Sequence, residues 1–324
     1  MFHHILVPLD GSIRAERALP VAAQIARGTA GSLHLVYVVN PPIDYSGGLS
    51  PMPIMSAETI EIETKNATSY LNAMAMSPLL AGIPTTTEVQ FGVPAAGILA
   101  TASKRAADLI VLCSHGRTGY TRWILGSVAH TLVHESPVPL FVLREGASDS
   151  LLAPDGSARP LRVLVPLDGS ELAEAALDPA ASLTAALAAP GQGTLYLAQV
   201  VKEVNLPPSS AGAAAASRLN EEVKEHANAY LAQVREQWQA RTKELRLSIT
   251  SSVLCASDVA SALVELAEHG NEGQKSGSAA GCDLIAISTH GRHGLQRWVM
   301  GSVTERVLNT SKLPILIVRP QQQG

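Results

Sequence analysis

The sequence predicts two doubly wound α/β domains, each a five-stranded parallel sheet covered by helices, and three observations carry that prediction. Residues 5–12 read ILVPLDGS, and residues 163–170 read VLVPLDGS, 158 positions later. Residues 114–127 read SHGRTGYTRWILGS, and residues 289–302 read THGRHGLQRWVMGS, now 175 positions on. Within each copy, short apolar runs alternate with stretches of helical periodicity, the signature of parallel strands buried on both faces by right-handed crossovers. A chain of 324 residues suits two domains of about 150, each able to bury roughly 70% of its unfolded surface.

The widening offset places extra loop residues in the second copy. LHLVYVV at 33–39 matches LYLAQVV at 195–201 at an offset of 162, so a first insertion falls near 188–193. The largest is 270–281, GNEGQKSGSAAG, whose Gly and Ser content predicts a flexible surface loop. Between the copies, EGASDSLLAPDGSARP at 145–160 reads as a linker. The expected organisation is a first domain at 1–145, a linker at 146–160 and a second domain at 161–324.

In the first copy the elements follow in order. The apolar run at 5–7 starts a strand, and Ser12 is the expected N-cap of a helix at 14–26. Residues 33–39 form a short apolar strand, and 56–80 carry the rhythm of a long amphipathic helix. Strands at 85–91, 109–113 and 140–143 and helices at 95–106 and 126–134 complete the copy. In such sheets ligands sit beyond the carboxyl ends of the strands where strand order reverses. Asp10-Gly11-Ser12 and His115-Gly116 both follow strands and so belong at that edge.

Bulk properties exclude several classes. A formal net charge of -4 offers no basic field for nucleic acid. Cys113, Cys255 and Cys282 show neither zinc nor disulfide spacing and fit a reducing, cytoplasmic setting. The first nine residues lack the basic segment and longer apolar run of a signal peptide, and no stretch approaches a membrane span.

The most informative constellation is Gly116, nine residues, then Gly126-Ser127, repeated as Gly291, nine residues, then Gly301-Ser302. Glycine lets backbone approach a ligand closely. A helix opening at Gly126-Ser127 presents unpaired N–H groups and the positive end of its dipole, which suit a phosphate. No GxxxxGK[ST] loop occurs.

With these motifs the sequence resembles a tandem universal stress protein, nearly throughout except the linker and inserted loops. The resemblance implies a Rossmann-like, adenine nucleotide alpha hydrolase-like fold with strand order 3-2-1-4-5, binding ATP with or without Mg. The ATP-binding motif of that family, G-x-x-G, nine residues, G-[S/T], maps to Cys113 and Gly116 and to Ser288 and Gly291, so its first glycine is replaced in both copies. The resemblance further implies that Asp10 and Asp168 contact ribose, that Pro8 and Pro166 lie beside adenine, and that Val38 and Val200 offer backbone to the adenine edge. Gly116, Gly126, Ser127 and Val128 would hold phosphates in one copy, and Gly291, Gly301, Ser302 and Val303 in the other. Arg117 and Arg292 would pair with phosphate oxygens.

Plainer readings stand beside these. Asp10 and Asp168 also suit Asx turns, though their paired occurrence before matching glycine loops favours a ligand role. Arg122-Trp123 and Arg297-Trp298 read as packing. His115 and His290 could serve phosphoryl or nucleotidyl transfer, but no second acid or base recurs beside them. Cys113 could be a redox thiol, yet its counterpart is Ser288. Residues 41–53 and 207–216 read as mobile loops, either disordered or lids. The apolar last strands invite pairing of the two domains, with homodimers beyond that. The expected function is a cytoplasmic adenine-nucleotide-binding signalling module with slow hydrolysis at most. The alternatives are a slow ATPase or phosphate or nucleotide transferase, and a structural dimerisation protein with degenerate pockets.

Overall fold

The computed structural model describes residues 1–40, 43–44, 52–53, 57–114, 125–144, 151–152, 159–204, 210–270, 281–290 and 300–320. It divides into two compact units, Met1–Ser148 and Asp149–Gly324.

In the first unit the order is β1 (His4–Leu9), α1 (Ile13–Glu16), α2 (Ala18–Thr29), β2 (Ser32–Val39), the two-residue strands β3 (Ile43–Asp44) and β4 (Met52–Pro53), α3 (Ala57–Ala75), β5 (Thr85–Phe91), α4 (Pro94–Lys104), β6 (Leu109–Cys113), α5 (Ser127–Glu135) and β7 (Leu140–Leu143). The second unit runs β8 (Leu161–Pro166), α6 (Glu171–Glu174), α7 (Leu177–Ala188), β9 (Gly193–Lys202), α8 (Ser210–Glu244), β10 (Leu247–Ala256), α9 (Val259–His269), β11 (Leu284–Ser288), α10 (Ser302–Thr310) and β12 (Ile315–Val318).

The first sheet is ordered β5-β2-β1-β6-β7 and the second β10-β9-β8-β11-β12, all parallel. Counted within each unit, both are 3-2-1-4-5, as expected. The central strands are buried almost end to end, with Ile5, Leu6 and Val7 at 0% exposure, because helices cover both faces.

One device, used once in each unit, fixes the amino edge of the sheet. The β1–β6 pairing is short, joining only Ile5 to Leu109 and Leu6 to Ile110. Asp108 secures it reciprocally, its carboxylate accepting from the His3 and His4 amides (2.8 and 3.0 Å) and its amide donating to the His4 carbonyl (2.9 Å). Asp283 repeats the arrangement with Arg162, accepting from its amide at 2.7 Å and donating to its carbonyl at 2.8 Å.

At the opposite edge, Ser12 caps α1 as expected, accepting from the Ala15 amide at 3.2 Å. The helix expected at 14–26 is broken at Arg17, where α1 ends and α2 begins. Gly97 sets the seating of α4: a Cβ there would lie 3.1 Å from both methyl carbons of Val38, so its absence lets the helix rest on the end of β2. Glu88 of β5 clamps the same helix through Lys104 (2.7 Å) and Arg105 (2.6 Å).

The expected loop at 207–216 needs correction from Ser210 onward. Residues 210–216 open the 35-residue helix α8, because their run of alanines has the highest helix propensity. The rest of that loop, most of 41–53 and most of the 270–281 insertion lie outside the described residues. Inside the expected linker, Leu151 and Leu152 are buried. Among the described residues no helix is long and apolar enough to cross a membrane.

Hydrogen bonds from Lys104, and then Arg105, hold the Glu88 carboxyl at about 2, against the opposing effect of burial. A carboxyl depressed on folding contributes stability above its unfolded value, and that contribution is lost as pH falls through the folded one. Because Lys104 and Arg105 are 61% and 41% exposed, solvent screening limits the pairs to about 1 kcal/mol. Glu88→Gln should therefore destabilise the protein by about that amount at pH 7, and the deficit should shrink as pH falls from 4.5 towards 2. Urea unfolding of both proteins across that range checks it; a deficit independent of pH refutes it.

Candidate nucleotide site

A cavity of about 530 Å³ opens at the carboxyl edge of the first sheet, within the range of small-molecule sites. It lies at the switch point of strand order: from β1 the chain proceeds outward through β2 and β5, then crosses to β6 on the other side. The β1–β6 ladder stops at Leu6 and Ile110, so beyond it these neighbours can leave a crevice.

Seven of the expected site residues meet here. β1 and its following turn supply Pro8 and Asp10, β2 supplies Val38, and β6 supplies Cys113. The start of α5 brings Gly126, Ser127 and Val128. Gly116, Arg117, Gly291, Arg292, His115 and both Arg-Trp pairs lie outside the described residues.

Asp10 carries out the plainer role and still faces the cavity. Its Oδ1 accepts from the Ser12 amide (3.0 Å) and hydroxyl (2.6 Å) in an Asx turn, with Gly11 at φ 79°. That φ favours glycine. The turn fixes the carboxylate at the strand end, where the cavity wall includes it.

The helix start divides its labour. The Gly126 amide donates to the Ser114 carbonyl at 2.8 Å, so it closes the connection from β6 and is already engaged. Helical bonding begins with His130 donating to the Gly126 carbonyl at 2.9 Å, and Gly126 offers no capping side chain. The Ser127, Val128 and Ala129 amides therefore have no acceptor among the described residues, and all three residues line the cavity.

Cys113 replaces the first glycine of the motif with a half-buried thiol on the cavity wall. Burial pushes it up to about 12, against the favourable charge of Arg17. A thiol in that state is neither a ready nucleophile nor a redox sensor.

The second copy repeats the frame. Asp168 forms the same Asx turn with Ser170 (3.0 and 2.6 Å), and Gly169 has φ 86°. Pro166 ends β8, Val200 lies near the end of β9, and Gly301, Ser302 and Val303 open α10, with the Gly301 amide donating to the Thr289 carbonyl at 2.9 Å. Ser288 shows what replaces the first glycine: its hydroxyl donates to the His290 carbonyl (3.0 Å) and accepts from the His290 amide (3.3 Å). The side chain thus closes the turn itself. The His290 ring meets the Thr289 hydroxyl at 2.8 Å.

Sequence reasoning missed part of the wall. Tyr37, Asn40 and Pro94 line the cavity, as does Glu63 of α3. Tyr37 packs edge-to-face on Tyr70 (6.1 Å between centroids), and the Tyr70 hydroxyl donates to Glu16 at 3.0 Å. Burial first, and that carboxylate second, raise the Tyr70 hydroxyl above its ordinary value. Tyr230 donates to Glu174 at 2.8 Å in the second copy. The repetition of this pair near offset 160 was the signal available in the sequence.

Burial also pushes Cys282 up to about 12. At pH 8 only about one thiol in ten thousand would be ionised at such a value. Iodoacetamide should leave Cys113 and Cys282 unmodified in the native protein and label both in urea, as read by peptide mass spectrometry. Rapid native labelling of Cys113 would refute the raised thiol value.

Comparison with known proteins agrees with this architecture. The family model described as the universal stress protein family matches residues 1–144 and 161–319. The chain is 28% identical over 325 residues to universal stress proteins of Mycobacterium bovis and Mycobacterium tuberculosis, covering 98% of this chain and 97% of each relative. A universal stress protein of Thermus aquaticus is 33% identical over 145 residues, 44% of this chain and 100% of the relative. The crystal structure of a universal stress protein from Archaeoglobus fulgidus shares the fold, with a TM-score of 0.64, 19% identity, and coverage of 99% of this chain and 97% of that one. With both copies matched by the family model, the chain belongs to the universal stress protein family.

Proposed function

We propose that the chain is an adenine-nucleotide-binding signalling protein whose sites take ATP, with or without Mg. The observation that carries this reading is the meeting, on one cavity wall, of the Asp10 carboxylate, the end of β2 and the amides of Ser127, Val128 and Ala129, which have no acceptor among the described residues. Amides at a helix start suit a phosphate tail, a carboxylate at a strand end suits sugar hydroxyls, and the backbone and apolar wall at Val38 suit a purine.

The described wall carries two carboxylates, Asp10 and Glu63, and no group of three or more His, Cys, Asp or Glu that could hold a metal occurs among the described residues. Mg would on this reading arrive with the nucleotide and be held chiefly by its phosphates. Slow hydrolysis is the most that is proposed. Pairing of the two copies, homodimer formation and cytoplasmic residence belong to the same proposal and rest on sequence pattern.

Calorimetry with ATP tests the reading. Proline is tolerated at the first helical position, and Gly126 and Gly301, at ψ 156° and 138°, have the extended backbone a following proline requires. Ser127→Pro with Ser302→Pro should therefore retain helix content while removing one amide donor and one hydroxyl from each site. ATP affinity should fall on the order of tenfold, the usual scale for a charge-assisted hydrogen bond. Absence of ATP binding by the unaltered chain at millimolar nucleotide overturns the proposal.

A further inference from the structure

The two copies share a frame but differ at several wall positions, one of them near the end of the second strand. Strand register identifies it: Leu9 of β1 pairs with Tyr37. In the second copy Pro166 pairs with Ala198 and the Leu167 amide donates to the Ala198 carbonyl at 2.8 Å, which brings Gln199 to the place of Tyr37. The facing helix changes with it. Glu63 lies seven residues, or two turns, before Tyr70, and the residue seven before Tyr230 is Val223.

The hydrogen-bonding character of the wall is altered by these exchanges. The first copy presents a phenol, braced edge-to-face by Tyr70, and a carboxylate. At the matching places the second copy carries a carboxamide and an isopropyl group. Gln199 is only 5% exposed, and its Oε1 is buried with no hydrogen-bond partner among the described residues. A buried acceptor left unmet costs as much as a lost hydrogen bond, so each such atom in a folded protein calls for a physical explanation. The simplest one consistent with its position is a partner that comes and goes.

We propose that Gln199 is a specificity-determining residue of the second copy, accepting a hydrogen bond from an N–H or O–H group of the bound nucleotide, so that the two copies select different ligands. The inference rests on the nucleotide reading above. The donor is either the amino group of the purine or a ribose hydroxyl, and both present the same chemistry to Oε1. The first copy carries a phenol and a carboxylate in place of this carboxamide and discriminates differently.

The test uses the full chain, with calorimetric titration of ATP, of ITP, which replaces the purine amino group by an oxo group, and of 2′,3′-dideoxy-ATP, which lacks the ribose hydroxyls. In the unaltered protein one of two site classes should prefer ATP over one of the two analogues by at least tenfold, and the analogue rejected identifies the donor. Gln199→Leu should weaken ATP at that class about tenfold, abolish its discrimination, leave the other class unchanged and raise the melting temperature of the nucleotide-free protein by removing the unmet acceptor. Gln199→Met, closer in shape, gives the same readout should the leucine variant fold poorly. If both variants raise the melting temperature but leave affinity and discrimination intact at both classes, Gln199 is a structural residue and the inference fails while nucleotide binding stands. Two indistinguishable classes in the unaltered chain also refute it. No ATP binding at all removes the nucleotide reading, and this inference with it.

Discussion

The structure turns on a pairing only two residues long. β1 and β6 are neighbours because the chain reverses its direction of travel across the sheet, yet their ladder joins only Ile5 to Leu109 and Leu6 to Ile110. Asp108 fastens that ladder at the amino edge by bonds in both directions. The same strands then run on to Leu9 and Cys113 without sharing further rungs, and the crevice at their carboxyl ends is what the Asp10 turn, the end of β2 and the start of α5 surround. A longer ladder would have closed the cavity that the helix amides face. The same short pairing, Val163 to Leu284 and Leu164 to Ile285, recurs beneath the second copy.

Conservation of this frame within one chain contrasts with freedom on its walls. The Asx turn, the glycine in left-handed conformation, the engaged glycine amide before each helix and the Tyr–Glu bond all occur twice at matching places. All but the Tyr–Glu bond involve the backbone directly, at a strand end or a helix start. Tyr37, Glu63 and Cys113 line the cavity, and Gln199, Val223 and Ser288 stand at the matching places while strand register and helix start are kept.

That division also explains what could be read from sequence. The Ser12 cap and the placing of Asp10 at the carboxyl edge follow from short motifs whose spacing is tied to backbone geometry, whereas strand order and the grouping of Pro8, Val38, Cys113 and Val128 with Gly126 and Ser127 follow from the family resemblance those motifs carry. Two features were illegible for physical reasons. Residues 210–216 look like a loop when judged by small side chains, whereas alanine is the best helix former and the run opens α8. Tyr37 and Glu63 come from elements distant in sequence, and only the packing of α3 on β2 brings them to one wall. The engagement of the Gly126 amide was equally hidden, since composition identifies a glycine but not the partner of its N–H.

The length of α8 has a mechanical meaning. At 1.5 Å per residue its 35 residues span about 52 Å, against about 28 Å for the 19 residues of α3. Tyr230, tied to Glu174, lies roughly 30 Å along the axis from Ser210. Asn220 fastens the same helix a second time, exchanging hydrogen bonds with the Val204 backbone at 2.9 and 3.2 Å, so the rod is held at two points about 15 Å apart along its axis.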